Sequence, residues 1–150
     1  MLYQLSIGTV VIFFSIVVQV LFVAVAIHVL SKNGQWFIRP PMLFKTVVSL
    51  VAVVLWLILG ISINAWSWAL LFISLDVIHD LESALYFSIV TFTTLGYGDI
   101  TVTKEWRILA SFAAVNGLII FGLNTAFLVE FANKLRNAQE RNRTNDKEPP

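Results

Sequence analysis

The sequence predicts an all-α membrane protein with three transmembrane helices and one shorter helix that enters the membrane without crossing it. Hydrophobic residues make up 58% of the 150 residues and charged residues 13%, whereas about a quarter of an average soluble domain is charged. No Asp, Glu, Lys or Arg occurs within 1–31, 46–75 or 108–129. Each of these stretches is longer than the roughly 20 apolar residues that a helix needs to cross a bilayer.

Residues 1–31 are predicted to form an additional N-terminal transmembrane helix. No basic residue precedes the apolar run, and the run is longer than the roughly 7 to 15 residues of a cleaved signal sequence. We therefore expect this helix to be retained. Gln19 is a polar residue inside the run, and an interhelical hydrogen bond is its expected role. A connector, 32–44, follows, and its two adjacent prolines prevent the first helix from continuing.

The second crossing is predicted from about Phe44 to Leu75. A helix of this length would measure about 48 Å, which exceeds the roughly 30 Å thickness of the hydrocarbon core. The helix therefore has to tilt, bend near Gly60 or project beyond the membrane.

A shorter apolar run follows the acidic stretch 76–82, and it predicts a re-entrant helix over 81–93. Asp80 is suited to cap the start of this helix, and Glu82 would stabilise its first turn. Residues 94–98 then form a glycine-rich loop. Irregular backbone at membrane depth is tolerated only where it is buried in protein or lines a watery cavity, so we expect this loop to border an aqueous path.

The third crossing is predicted over 107–132, and the polar tail 133–150 is expected to fray and then to be disordered. Basic residues follow the first crossing (Lys32, Arg39, Lys45) and the third (Lys134, Arg136). Because basic residues concentrate on the cytoplasmic side of membrane proteins, both regions are expected there. The chain is thus predicted to be multi-pass in the cell (plasma or inner) membrane, with its N-terminus outside and its C-terminus cytoplasmic.

The glycine-rich loop carries the chemistry. Gly96 and Gly98 can adopt left-handed conformations that turn successive carbonyl groups toward one axis. Four such chains would stack rings of oxygens from Thr94, Leu95, Gly96 and Tyr97, with the Thr94 hydroxyl at the inner end. Such rings replace the water around a dehydrated cation and suit a large monovalent ion.

This loop and its flanks resemble the pore module of potassium channels. The preceding helix, 84–92, resembles the pore helix of the family, and 117–126 resembles its glycine-hinged inner helix. The resemblance covers about residues 45–132, and the motif that carries it is Thr93-Thr94-Leu95-Gly96-Tyr97-Gly98-Asp99. Leu95 stands where the signature usually has valine. Since only its carbonyl would face the ion, this exchange should matter little.

The resemblance implies a homotetrameric potassium channel. Potassium would bind in the selectivity filter formed by Thr94, Leu95, Gly96, Tyr97 and Gly98. The filter would be supported by Thr93, Tyr86 and Asp99, with Asp99 accepting a hydrogen bond from Tyr86. The third crossing would line the cavity and gate through Gly117, Leu118, Phe121, Gly122, Thr125 and Val129.

Two of these roles stay open at this level. Phe121 is expected either to narrow the cavity or to pack between subunits. Gly117 and Gly122 are expected to act either as hinges or as positions of close helix packing.

Other functions find little support. A net charge of +1 and the absence of cysteine give no argument for nucleic acid, disulfides or thiol chemistry. No catalytic constellation is present, so we expect no enzyme and no cofactor apart from the permeant K⁺. The first two crossings contain no arginine, which argues against a voltage sensor.

Potassium, membrane lipid and further copies of the chain are the expected partners. A weakly selective cation channel and a non-conducting membrane subunit that co-assembles with another channel are the alternatives.

Overall fold

The structure is a computed structural model that describes residues 2–32 and 42–145. The described residues form four helices, which are α1 (Leu2–Lys32), α2 (Met42–Ser74), α3 (Leu81–Phe92) and α4 (Arg107–Asn145). Three stretches are long and apolar enough to cross a membrane: Leu2–Val29, Phe44–Ser74 and Arg107–Asn137. The predicted fold class, three candidate spanning helices with a shorter apolar helix before the last, is confirmed.

The side chains are distributed as a lipid environment requires. Large apolar side chains cover much of the outside of the bundle; Phe13 is 70% exposed and Leu55 61%. Several polar side chains are buried instead, among them Ser15, Gln19, Asn64, Asn116 and Asn124. In a bilayer the outer surface meets hydrocarbon, so polar groups are best placed against other parts of the protein.

Two clusters of buried apolar side chains hold the helices together. The upper cluster surrounds α3 and consists of Trp68, Phe72, Phe87, Phe92, Val102, Leu109, Ala110, Ala113 and Ile120. The lower cluster lies at the other end of the three long helices and consists of Ala26, Val53, Leu57, Phe127, Phe131 and Leu135. Helix α1 contributes to both, because Ile7 and Val11 pack against the upper cluster and Val23 against the lower one.

Helix α4 is longer than expected. The sequence placed the end of the inner helix at residue 132 with a fraying tail beyond it, but α4 continues to Asn145. Phe131 and Leu135 are buried in the lower cluster, and the Glu130 carboxylate lies 3.3 Å from the Lys134 ammonium one turn later. These contacts extend the helix past the apolar run. The prolines of the connector and the last five residues lie outside the described part of the chain.

Helix α2 passes through Gly60 without interruption, so no break in the helix occurs there. It ends in a turn in which Asp76 has a positive φ of 58°. The amide of Val77 donates to the Phe72 carbonyl at 2.9 Å, which reverses the chain toward α3.

Candidate functional site

Helix α3 begins with a side-chain cap. The Asp80 carboxylate accepts a hydrogen bond from the Ser83 amide at 2.9 Å, and Glu82 lies in the first turn. The bond from Ser83 lowers the pKa of Asp80 below its ordinary value because it stabilises the ionised carboxylate. The predicted cap is confirmed, and it places negative charge at the positive end of the helix dipole.

The chain that leaves α3 turns its amides back toward that helix. Thr93 is the C-cap, and the Thr94 amide donates to the Thr91 carbonyl at 2.9 Å. The amides of Leu95 and Gly96 both donate to the Val90 carbonyl, at 3.0 and 3.2 Å. Within the part of the chain that the structure describes, no hydrogen bond reaches the carbonyl oxygens of residues 94 to 97.

The sign of the backbone φ angle alternates along this segment. Thr94, Gly96 and Gly98 have positive φ angles of 59°, 57° and 78°, whereas the residues between them do not. Successive residues of opposite hand align their N–H groups in one direction, so their carbonyl groups align in the other. Thr94 is the costly member of the series, because a residue with a Cβ pays about 1–2 kcal/mol in the left-handed region.

Steric crowding does not explain why residues 96 and 98 are glycine. A Cβ built on Gly96 or Gly98 would meet nothing within 4 Å. The side chains of Leu95 and Tyr97 are exposed as well, at 56% and 68%. Backbone hydrogen bonds thus fix the first part of the segment, at Thr94, Leu95 and Gly96, and the described part of the chain leaves the side chains of Leu95 and Tyr97 exposed.

The far end of the segment is tied to α3 by a side-chain hydrogen bond. The Tyr86 hydroxyl donates to the Asp99 carboxylate at 2.6 Å, as the sequence predicted. This bond is the main cause of an Asp99 pKa below the ordinary value, since it favours the ionised form. Both ends of the segment are thus fixed to the same short helix.

Helix α4 supports the segment from behind. Gly117 lies directly on the end of α3, and a Cβ there would overlap the Phe92 carbonyl. Of the two roles considered for this glycine, close packing is the one observed. Gly122, by contrast, has no neighbour within 4 Å of its Cβ position among the described residues.

Four of the residues expected to line the cavity and gate share one face of α4. Leu118, Phe121, Thr125 and Val129 all lie on the exposed side of α4. Phe121 is the most covered of the apolar three, with its ring centroid 6.1 Å from that of Phe92. The Thr125 hydroxyl donates to the Phe121 carbonyl of its own helix at 2.8 Å. The Phe121 end of this face lies next to the tip of α3, and within the described part of the chain the face is largely exposed.

Two contacts near the site were not anticipated. The buried Ser88 hydroxyl donates to the Ala65 carbonyl at 2.6 Å and thereby joins α3 to α2. The interhelical hydrogen bond expected for Gln19 is present, but its partners, Asn64 and Asn124, were not predicted. Polar residues within apolar runs were the available signal, and a single sequence does not say which of them meet.

Comparison with known proteins yields one match. The model of a family described as ion channel matches residues 51–134, which include most of α2, all of α3, the glycine-rich segment and α4 to its residue 134. No curated protein and no solved structure matches the chain. The matched range leaves out the first helix.

Proposed function

Because the chain belongs to the ion-channel family that is built on the two-helix pore module of potassium channels, we propose that it is a potassium-selective channel for passive permeation. The observation that supports this best is the segment 94–98. Its backbone alternates in hand, the amides of its first three residues bond to α3, and among the described residues the carbonyl oxygens of residues 94 to 97 have no hydrogen-bond partner. Carbonyl oxygens in such a row replace the hydration shell of K⁺.

Four copies are needed for this function. One chain supplies one row of oxygens, and one row cannot surround an ion. The exposed side chains of Leu95 and Tyr97 are ones that a closed ring of subunits would cover. We therefore assign a homotetramer, with K⁺ held by the carbonyl oxygens of Thr94, Leu95, Gly96 and Tyr97 and with Gly98 completing the filter.

The remaining residues are assigned by their place along the pore axis of this tetramer. Leu118, Phe121, Thr125 and Val129 would line the cavity and inner mouth, with Gly122 as the flexible position of α4. Asp80 and Glu82 lie at the start of α3, and its opposite, carbonyl end near Thr93 would face the cavity side of the filter and stabilise a cation there. The basic residues after the first and third crossings put the N-terminus outside and the C-terminus in the cytoplasm.

The test is ion flux in liposomes that contain only the purified chain. We expect a potassium current whose reversal potential, in mixed potassium and sodium solutions, follows the potassium gradient. A reversal potential midway between the two gradients would favour a weakly selective cation channel. Complete absence of flux from correctly assembled protein would favour a non-conducting subunit.

Two variants of neighbouring residues serve as a matched pair. In Gly96→Ala, the new Cβ opposes the left-handed backbone at a cost of about 1–2 kcal/mol per chain, so the oxygen row should be lost and flux abolished. In Leu95→Val only the side chain changes, and the carbonyl stays where it is. This second variant should keep the flux and the selectivity of the natural chain.

A further inference from the structure

The first helix is joined to the pore module by one buried polar layer. The Gln19 amide donates to the Asn124 side-chain oxygen at 2.8 Å, and the Asn64 amide donates to the Gln19 oxygen at 3.3 Å. The three side chains are 0%, 5% and 1% exposed, respectively. Gln19 of α1 thus bonds to one buried side-chain amide from each of the other two long helices.

This layer lies where the two apolar clusters meet. On α4, Ile120 belongs to the upper cluster and Phe127 to the lower one, with Asn124 between them. On α1, Val11 and Val23 pack on the two clusters, with Gln19 between them. The two halves of the bundle are therefore joined at this level by side-chain hydrogen bonds, which can break and form again with other partners.

The two halves of α4 are held by different parts of the chain. The upper half is fixed to α3, since Gly117 lies on the Phe92 carbonyl. The lower half packs against α1 and α2 through Phe127 and Phe131. Gly122 lies between them with open space around it, and a glycine weakens a helix by about 1 kcal/mol relative to alanine. Residue 122 is thus where α4 bends most easily.

The bond to Gln19 matters more to Asn124 than to Asn64. The Asn64 amide also donates to the Gly60 carbonyl at 2.9 Å, so Asn64 keeps a partner when Gln19 is removed. The Asn124 amide nitrogen is buried with no partner in the structure, and its oxygen is bonded to Gln19. Without Gln19 the whole Asn124 amide would be buried and unpaired, which is unfavourable. A turn of α4 toward the watery side, where Thr125 lies, would relieve this.

From these contacts, and resting on the proposed function, we propose that Gln19 is a positioning residue for the inner helix. Its hydrogen bond to Asn124 holds the lower half of α4 against α1 across the flexible position at Gly122. The bond thereby sets the equilibrium between two positions of that half and, with it, the open probability of the channel. The additional helix is a part of the gating apparatus and not only an anchor.

The functional test uses single-channel recording of the full chain. Gln19→Met keeps the volume of the side chain and removes the bond, and open probability should change by about three- to twentyfold, the range of measured interhelical hydrogen bonds in membranes. Single-channel conductance should not change, because the filter is untouched. The exchanged pair Gln19→Asn with Asn124→Gln should restore the natural open probability.

The matched control is Thr9→Val on the same helix. The Thr9 hydroxyl is exposed and donates to the Leu5 carbonyl within α1, so its loss should leave open probability unchanged. Asn124→Leu leaves no unpaired amide on α4, so it should change open probability less than Gln19→Met, and adding it to Gln19→Met should reduce the effect of that variant.

A structural test does not depend on conduction. The chain has no cysteine, so spin labels can be attached to Ile27→Cys on α1 and Ala132→Cys on α4, both at exposed positions in the lower half. Labelled chains are diluted with unlabelled ones so that only distances within a chain are measured. Gln19→Met should lengthen this distance by about 2 Å or more, the scale of helix shifts in switching proteins, and Thr9→Val should not.

The outcomes separate the two proposals. If the distance changes and no flux is found in any variant, the positioning role of Gln19 stands and the conduction proposal fails. If flux is present but neither distance nor open probability responds to Gln19→Met, the positioning role is refuted and Gln19 only fills its site.

Discussion

The glycine-rich segment and the first helix are held in place by opposite means. Segment 93–99 is mostly exposed, but its shape is fixed by hydrogen bonds to the helix directly before it, none longer than 3.4 Å. Helix α1 has a buried stripe, but its partners lie far away in the chain, as in the bond from Trp56 to the Phe22 carbonyl. The first region is thus specified by local sequence and the second by the packing of distant residues.

The two regions should differ most in their response to replacement of a glycine by alanine, at Gly117 beside the segment and at Gly60 beside α1. In Gly117→Ala the new Cβ overlaps a backbone carbonyl of α3, which cannot move without displacing the segment. We expect a loss of stability of about 3 kcal/mol, the upper end of the usual cost of overpacking, and a loss of potassium flux. Thermal unfolding in detergent and liposome flux measure the two effects. Normal flux from Gly117→Ala would show that α4 does not support the segment.

The hydrogen bond between Ser88 and Ala65 should give the next largest effect. Ser88→Ala removes a buried bond between α3 and α2 and leaves the Ala65 carbonyl without that donor. The expected loss of stability is about 1 kcal/mol. Ser62→Ala is the matched control, because the Ser62 hydroxyl is exposed and bonds to the Ile58 carbonyl of its own helix. Equal melting temperatures for the two variants would contradict the prediction.

Gly60 of α2, which faces α1, should tolerate alanine better than Gly117 does. In Gly60→Ala the new Cβ would lie 2.8 Å from the Gln19 side-chain oxygen and 3.1 Å from the Phe22 ring. A side-chain tip can move where a backbone carbonyl cannot, although moving this one weakens the bonds of Gln19 to Asn64 and Asn124. Alanine also favours the helix by about 1 kcal/mol, which offsets the cost. Stability should therefore change by no more than about 1 kcal/mol, and flux should persist. A variant as damaged as Gly117→Ala would remove the contrast between the two regions.

These regions also differ in what the sequence reveals. Gaps between charged residues located the three crossings, and the short range of its contact made the Asp80 cap predictable. The Tyr86–Asp99 bond was implied by the resemblance to the potassium-channel pore. The partners of Gln19 were not predictable, since several polar residues lie at similar depth and periodicity does not pair them. The continuation of α4 beyond residue 132 depends on Leu135 finding the lower cluster, which composition does not show.

The smallest effect concerns pH at the outer end of the segment. The bond from Tyr86 lowers the pKa of Asp99 in the folded protein, so its contribution to stability is present above the ordinary carboxyl pKa. It is lost as the pH falls below about 4. Tyr86→Phe should reduce this loss, because the carboxyl pKa then returns toward its unfolded value. Melting temperatures measured between pH 3 and 7 compare the two proteins, and identical curves would exclude a contribution from this bond.

The way in which segment 93–99 is held has one more consequence. Its turns close on carbonyls of α3, and its outer end closes on Tyr86 of the same helix, so that nearly all of its scaffold lies within residues 80–99. Placed between two unrelated helices, these twenty residues should keep their geometry where the new helices bury Phe87 and Phe92 and offer a glycine for the tip of α3 to rest on.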